Sequence, residues 1–175
     1  MRKIIYSLLP VLLIGLMTTG CQRKDDKQLV ITGELISNTA CKNDLKSAFQ
    51  IAGIPDSLSC VEYSFDNENN KLTIKHINAG FNCCPDRLYC KIELKGNTII
   101  IQEFEKSANC DCLCLYDLDI EINGVYPKKY QLEFAEPYAS EQNKLEFEID
   151  LSKDTKGSFC VTRKHYPWGV NSVTE

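Results

Sequence analysis

The side chains best equipped for chemistry are the cysteines, and they are unevenly spread. Cys110-Asp-Cys112-Leu-Cys114 sets three thiols at alternate positions, and Phe81-Asn82-Cys83-Cys84-Pro85-Asp86 carries two adjacent ones, with Cys90 shortly after. In an extended strand, residues at i, i+2 and i+4 share a face at intervals of about 6.5–7 Å. Adjacent residues point to opposite sides, so Cys83 and Cys84 are expected to bond to different partners. Two chemistries are open. In an oxidising compartment the 81–90 and 108–114 segments would be stapled by disulfides, each contributing about 2–4 kcal/mol, largely by restricting the unfolded chain. As thiolates, Cys110, Cys112 and Cys114 could instead hold a soft metal such as Cu or Zn, or serve a thiol-redox role. The run lacks the Cys-x₂-Cys knuckle of zinc sites and the Cys-x-x-Cys pair of thioredoxin-type redox centres. The disulfide staple is therefore the leading expectation, with no cofactor.

The compartment follows from the N-terminus. Met1-Arg2-Lys3 precedes an apolar run from Ile4 to Met17, broken only by Ser7, Pro10 and Gly15. A positive segment and a short apolar stretch read as a secretory signal, and the run falls short of the roughly 20 apolar residues a membrane span needs. It ends in Thr18-Thr19-Gly20-Cys21, which resembles the lipobox of bacterial lipoproteins, with Thr18 where that family usually has Leu. The resemblance implies cleavage before Cys21, a diacylglyceryl thioether on its thiol and acylation of the new amine. Two or three chains of palmitate length would anchor the protein durably, since each buried methylene contributes about 0.8 kcal/mol. Gln22 is not the Asp that resembles an inner-membrane retention signal, so the outer membrane is expected. Lys24-Asp25-Asp26 resembles the Bacteroidetes lipoprotein export signal, which implies the cell surface. The Phe-Asn-Cys-Cys-Pro and Cys-x-Cys-x-Cys-Leu-Tyr-Asp runs also resemble lipoproteins of the Bacteroidetes, a likeness that carries no activity with it.

Residues 1–20 hold two of the 20 basic side chains and none of the 24 acidic ones, leaving 18 basic against 24 acidic in the mature chain. Such an acidic balance argues against nucleic acid as a partner. Lipidation of Cys21 leaves nine of the ten cysteines: Cys41, Cys60, Cys83, Cys84, Cys90, Cys110, Cys112, Cys114 and Cys160. Nine is odd, so at least one thiol cannot pair within the chain, and the connectivity stays open.

The elements that must position these groups read as strands. After a lipidated tether over 21–28, Leu29–Ile36 alternates as a first strand, and a short helix is expected over about 43–51. Val61, Tyr63 and Phe65 alternate, and Leu72, Ile74 and His76 follow a turn at Asn67–Asn70, the period ending before Gly80. Leu88, Cys90, Ile92 and Leu94 lead to Gly96-Asn97 and a hairpin partner from Thr98 to Glu105. Leu118, Ile120 and Ile122 precede Asn123-Gly124; Tyr130, Leu132 and Phe134, then Leu145, Phe147 and Ile149, then a strand near 158–165, complete the series. No helical period intervenes, so parallel βαβ units are not expected. The prediction is a single all-β domain over 29–175, a disulfide-rich antiparallel sandwich. The stretch from Ile120 to Leu132 resembles the E–F corner of immunoglobulin-like domains, which implies that the sandwich is immunoglobulin-like and that the Tyr130 hydroxyl bonds back to the corner.

Other candidates are sparse. His76 reads as a hydrogen-bonded sheet histidine and His165 as an exposed one. Glu103, Glu105, Asp117 and Asp119 read as solvated strand faces. Tyr166-Pro167-Trp168-Gly169 reads first as an aromatic cluster that closes one end of the sandwich, with stacking on a glycan or protein partner as the alternative. Asp56-Ser57-Leu58 resembles the O-glycosylation site of Bacteroidetes secreted proteins, with Ser57 as acceptor. No nucleophile elbow, zincin helix or phosphate loop is present, so no catalytic residue is assigned. The expected function is a lipid-anchored, non-catalytic binding or structural module at the cell envelope. Its alternative is a metal-binding or thiol-redox lipoprotein using Cys110, Cys112 and Cys114.

Overall fold

The computed structural model describes residues 30–42, 54–108, 110–140 and 142–164. Among these residues the regular structure is nine strands: β1 (Thr32–Asn38), β2 (Leu58–Asp66), β3 (Lys71–Asn82), β4 (Pro85–Lys95), β5 (Thr98–Ala108), β6 (Leu113–Asn123), β7 (Lys129–Ala135), β8 (Glu146–Asp150) and β9 (Lys156–Thr162). They form a five-stranded sheet, β1-β6-β3-β2-β9, and a four-stranded sheet, β4-β5-β7-β8. The alternating apolar residues of both sheets meet in one core: Leu72, Ile74, Ile120 and Ile122 from the first pack with Ile99, Ile101, Tyr130 and Leu132 from the second. All eight are at most 1% exposed, and burial of an aliphatic side chain of this size contributes about 1.5–3 kcal/mol. The expected disulfide-rich all-β sandwich is what forms.

Local chemistry sets the turns. Asp66 Oδ1 accepts the backbone N–H groups of Glu68 and Asn69 at 3.0 and 3.2 Å, and Asn70 takes a left-handed φ of 51° to reverse the chain into β3. Lys95 pairs with Thr98 across Gly96-Asn97, with Gly96 at φ 63°, so the two-residue hairpin is where the sequence placed it. At the β6–β7 corner the Tyr126 N–H donates to the Tyr130 hydroxyl at 3.2 Å, the back-bond expected of that tyrosine.

Several details depart from expectation. The first strand begins at Thr32 and the last ends at Thr162. β3 runs through Gly80 to Asn82 because a bulge between His76 and Ala79 adds one residue and lets Ala79 and Phe81 regain the core face. Asn78 occupies the bulge at φ 64°; its side chain donates to the carbonyls of Pro55 and Leu58 and accepts from Lys42. One pairing, β5 with β7, is parallel. No helix is needed for it: β6 crosses to the opposite sheet and serves as the long crossover that a parallel pair requires. The two-sheet architecture is shared with immunoglobulin-like sandwiches, whereas the strand order differs from their ABED and CFG sheets. The segment expected to be helical, 43–51, lies outside the described residues.

Candidate functional site

The cysteines gather at one end of the sandwich. Cys83–Cys112 and Cys84–Cys110 join the β3–β4 corner to the loop before β6, so the adjacent pair takes different partners, as expected. Cys41–Cys114 ties the segment after β1 to β6, and Cys60–Cys160 links directly opposed residues of β2 and β9. Of the Cys-x-Cys-x-Cys run only Cys114 belongs to a strand, and each of its three sulfurs faces a different one. Binding a metal there would first require three bridges to be reduced. Asn82 organises this end: its side chain donates to the Cys110 carbonyl at 2.5 Å and accepts the Cys84 N–H at 3.0 Å, while its backbone N–H donates to Glu105 at 2.7 Å.

Among the described residues Cys90 is the remaining thiol, half-buried on β4 opposite Glu103. Burial pushes it up to about 12, aided by the negative charges of Glu103 and Glu34. It is therefore a protonated, poorly nucleophilic group at neutral pH.

A second constellation lies between the sheets. His76 on β3 is 0% exposed, and its Nδ1 lies 2.7 Å from Glu103 Oε1 of the opposite sheet. Its Nε2 lies 2.9 Å from Ser59 Oγ on β2 and 3.8 Å from Glu136 Oε1, just after β7. Arg163, just after β9, directs Nη2 to both Glu136 oxygens at 2.6 and 2.5 Å and to Ser59 Oγ at 3.2 Å, while its Nη1 donates to the Asn143 carbonyl. Five elements thus converge on one network. Desolvation pushes the His76 ring downward, but Glu103, by charge and hydrogen bond, and Glu136 outweigh it and hold the ring above its ordinary range. With the imidazole protonated, two carboxylates balance one imidazolium and one guanidinium, and the buried set is neutral. The second oxygen of Glu103 is buried without a hydrogen-bond partner.

Three chemistries can be weighed. Ser59, His76 and Glu103 stand in the order nucleophile, base and orienting carboxylate. Yet Ser59 is 0% exposed in the middle of a sheet, and its oxygen faces a guanidinium that can only donate to it. His76, Glu103 and Glu136 each offer a ligand atom within 4.8 Å of the others. A divalent ion in place of the proton would leave the set with net charge +1 in a desolvated site, so the charge count favours the proton. What the arrangement does well is tie the two sheets together with oriented, mutually compensating charges.

His76 is the satisfied sheet histidine expected. Glu103 and Glu105 are corrections: Glu103 is 3% exposed, and Glu105 accepts from the Asn82 N–H and the Tyr138 hydroxyl, so neither is a solvated strand residue. Asp117 is also engaged, with Lys42 at 2.5 Å and the Asn78 N–H at 3.1 Å; only Asp119, bonded to the exposed Ser37 hydroxyl, fits the solvated reading. Ser59, Glu136 and Arg163 were missed. Their signal was phase: Ser59 precedes Val61 and Phe65 on the apolar side of β2, Glu136 follows Leu132 and Phe134, and Arg163 follows Phe159 and Val161. Ser57 lies exposed in the turn before β2. Cys21, Lys24, Asp25, Asp26, His165 and the Tyr166–Gly169 cluster lie outside the described residues. Comparison with known proteins finds no matching family model, no matching curated protein and no matching solved structure.

Proposed function

We propose that the chain is a lipid-anchored, disulfide-stapled β-sandwich that acts at the outer membrane, facing the cell surface, by binding and not by catalysis. The observation that carries the reading is the pairing of eight cysteines into four bridges. That density fits an oxidising compartment, the same address implied by Arg2-Lys3, the apolar run and the lipobox-like Thr18-Thr19-Gly20-Cys21. The placement of the histidine network inside the core supports the second half of the reading, because a buried serine and imidazole offer a substrate no approach. Lys24-Asp25-Asp26 would direct the anchored domain outward, and Ser57 on its exposed turn would be open to glycosylation.

The test is mass spectrometry of the mature N-terminus together with membrane fractionation of Cys21→Ser. The expected result is an acylated Cys21 in the wild-type protein and release of the variant into the soluble fraction. A mature N-terminus with a free amine and no thioether, or a variant still requiring detergent, would overturn the anchor.

A further inference from the structure

We propose that the outer face of the β4–β5 hairpin binds an acidic polysaccharide. This deepens the binding-module reading, on which it rests for the partner's location. On that face the register places Arg87 opposite Lys106, Tyr89 opposite Phe104 and Lys91 opposite Gln102. The two rings stack at 5.2 Å with planes 18° apart, Arg87 sits 5.3 Å over Tyr89, and Lys91 sits 5.4 Å over Phe104. Cation–π contacts of this kind contribute about 0.5–1 kcal/mol at exposed sites, which is enough to hold two long side chains in place ahead of a ligand. The ion pairs among the described residues do not include Arg87, Lys91 or Lys106. Lys95, further along the same strand, is by contrast held by Glu93 at 3.0 Å.

The face thus carries three unpaired, partly pre-oriented cations on a chain whose overall charge is negative. Positive charge kept free against the trend of the molecule calls for an anion. Arg87 and Lys91 are four residues apart, about 13 Å along a strand, so the fit is to separated anionic groups along one extended polymer. Nucleic acid is disfavoured because each ring already carries a neighbouring ring and a cation, leaving no open platform for bases. Ring edges and the Gln102 amide suit sugar C–H and hydroxyl groups. Cations on an edge strand also deter strand pairing, but that role needs charge alone and not its placement over two rings.

The experiment measures binding of the purified mature chain, in detergent, to polygalacturonate. Neutral dextran, anionic phospholipid vesicles and single-stranded DNA are run beside it. Binding to polygalacturonate at low salt is expected, fading as salt screens it. The combined Arg87→Gln, Lys91→Gln and Lys106→Gln variant should bind about tenfold more weakly, as the loss of three modest charge contacts implies, while staying folded, its unfolding midpoint lowered by only the few degrees that two lost cation–π contacts imply. The control Lys129→Gln with Lys144→Gln, lysines already paired to Glu148 and Glu146, should bind like wild type. Absence of binding, equal loss in both variants, or preference for dextran, vesicles or DNA would overturn the proposal. A chain that is acylated on Cys21 yet ignores polygalacturonate would reject this surface and leave the anchor standing.

Discussion

His76 should make the stability of this domain fall as pH rises. The ring is fully buried, its Nδ1 is 2.7 Å from a Glu103 carboxylate that is itself 3% exposed, and its Nε2 is 2.9 Å from Ser59. Its folded-state pKa is raised, so the stabilisation it supplies is fully present below the unfolded value of about 6.5. That stabilisation is lost as pH climbs through the higher folded value, at 1.36 kcal/mol per unit of separation. Deprotonation leaves two carboxylates facing one guanidinium. His76→Gln removes the compensating charge at every pH and should cost about 3–5 kcal/mol, the range for stripping one partner from a buried ion pair. For a domain of this size that corresponds to roughly 6–20 °C in Tm. His76→Leu combined with Glu103→Leu should lose less than His76→Leu alone, because no carboxylate is left stranded. Urea unfolding of the disulfide-intact protein, followed by far-UV circular dichroism from pH 6 to 9.5, measures all three. A wild-type stability that holds or rises across that interval, in parallel with His76→Gln, would refute the charged-ring account.

Two further outcomes are expected. Thiol titration of unreduced protein should find one cysteine, Cys90, that is nearly inert to iodoacetamide in the folded state at neutral pH, because its pKa is about 12, and reactive once urea exposes it; three or more thiols would break the four-bridge pattern. Gly124→Ala should destabilise by about 1–3 kcal/mol, since Gly124 sits at φ 81° and an added Cβ would lie 2.7 Å from the Val30 carbonyl oxygen; a calorimetric midpoint equal to wild type would show that the β6–β7 corner relaxes freely.

Much of the fold was legible because strand pattern is a local signal. Leu72-x-Ile74-x-His76 and Leu118-x-Ile120-x-Ile122 announce their buried faces without reference to each other, and Gly96-Asn97 is a turn by backbone conformation alone. The bulge at Asn78 was not legible. It depends on carbonyls of Pro55 and Leu58, some 20 residues away, and no local period encodes that debt. The parallel β5–β7 pair was missed for a related reason: strand adjacency in sequence says nothing about which sheet the intervening β6 joins.

The candidate site divides along the same line. By itself the sequence determined that the chain alternates into strands and that Gly96-Asn97 turns it; Glu103 and Arg163 continue the apolar phase of their strands, yet residue type alone reads Glu103 as solvated and leaves Arg163 unassigned. These are properties of neighbours a few residues apart, where the period of two operates. Only the tertiary structure decided which sulfurs meet, that Cys90 is left over, and that Ser59, His76, Glu103, Glu136 and Arg163 compensate one another. Each of those outcomes is set by contacts between separate segments, from 17 residues apart for Ser59 and His76 to 104 for Ser59 and Arg163, chosen by the free energy of the whole core. A polar side chain facing inward is a debt visible in sequence; its partner is known only once the sheets close.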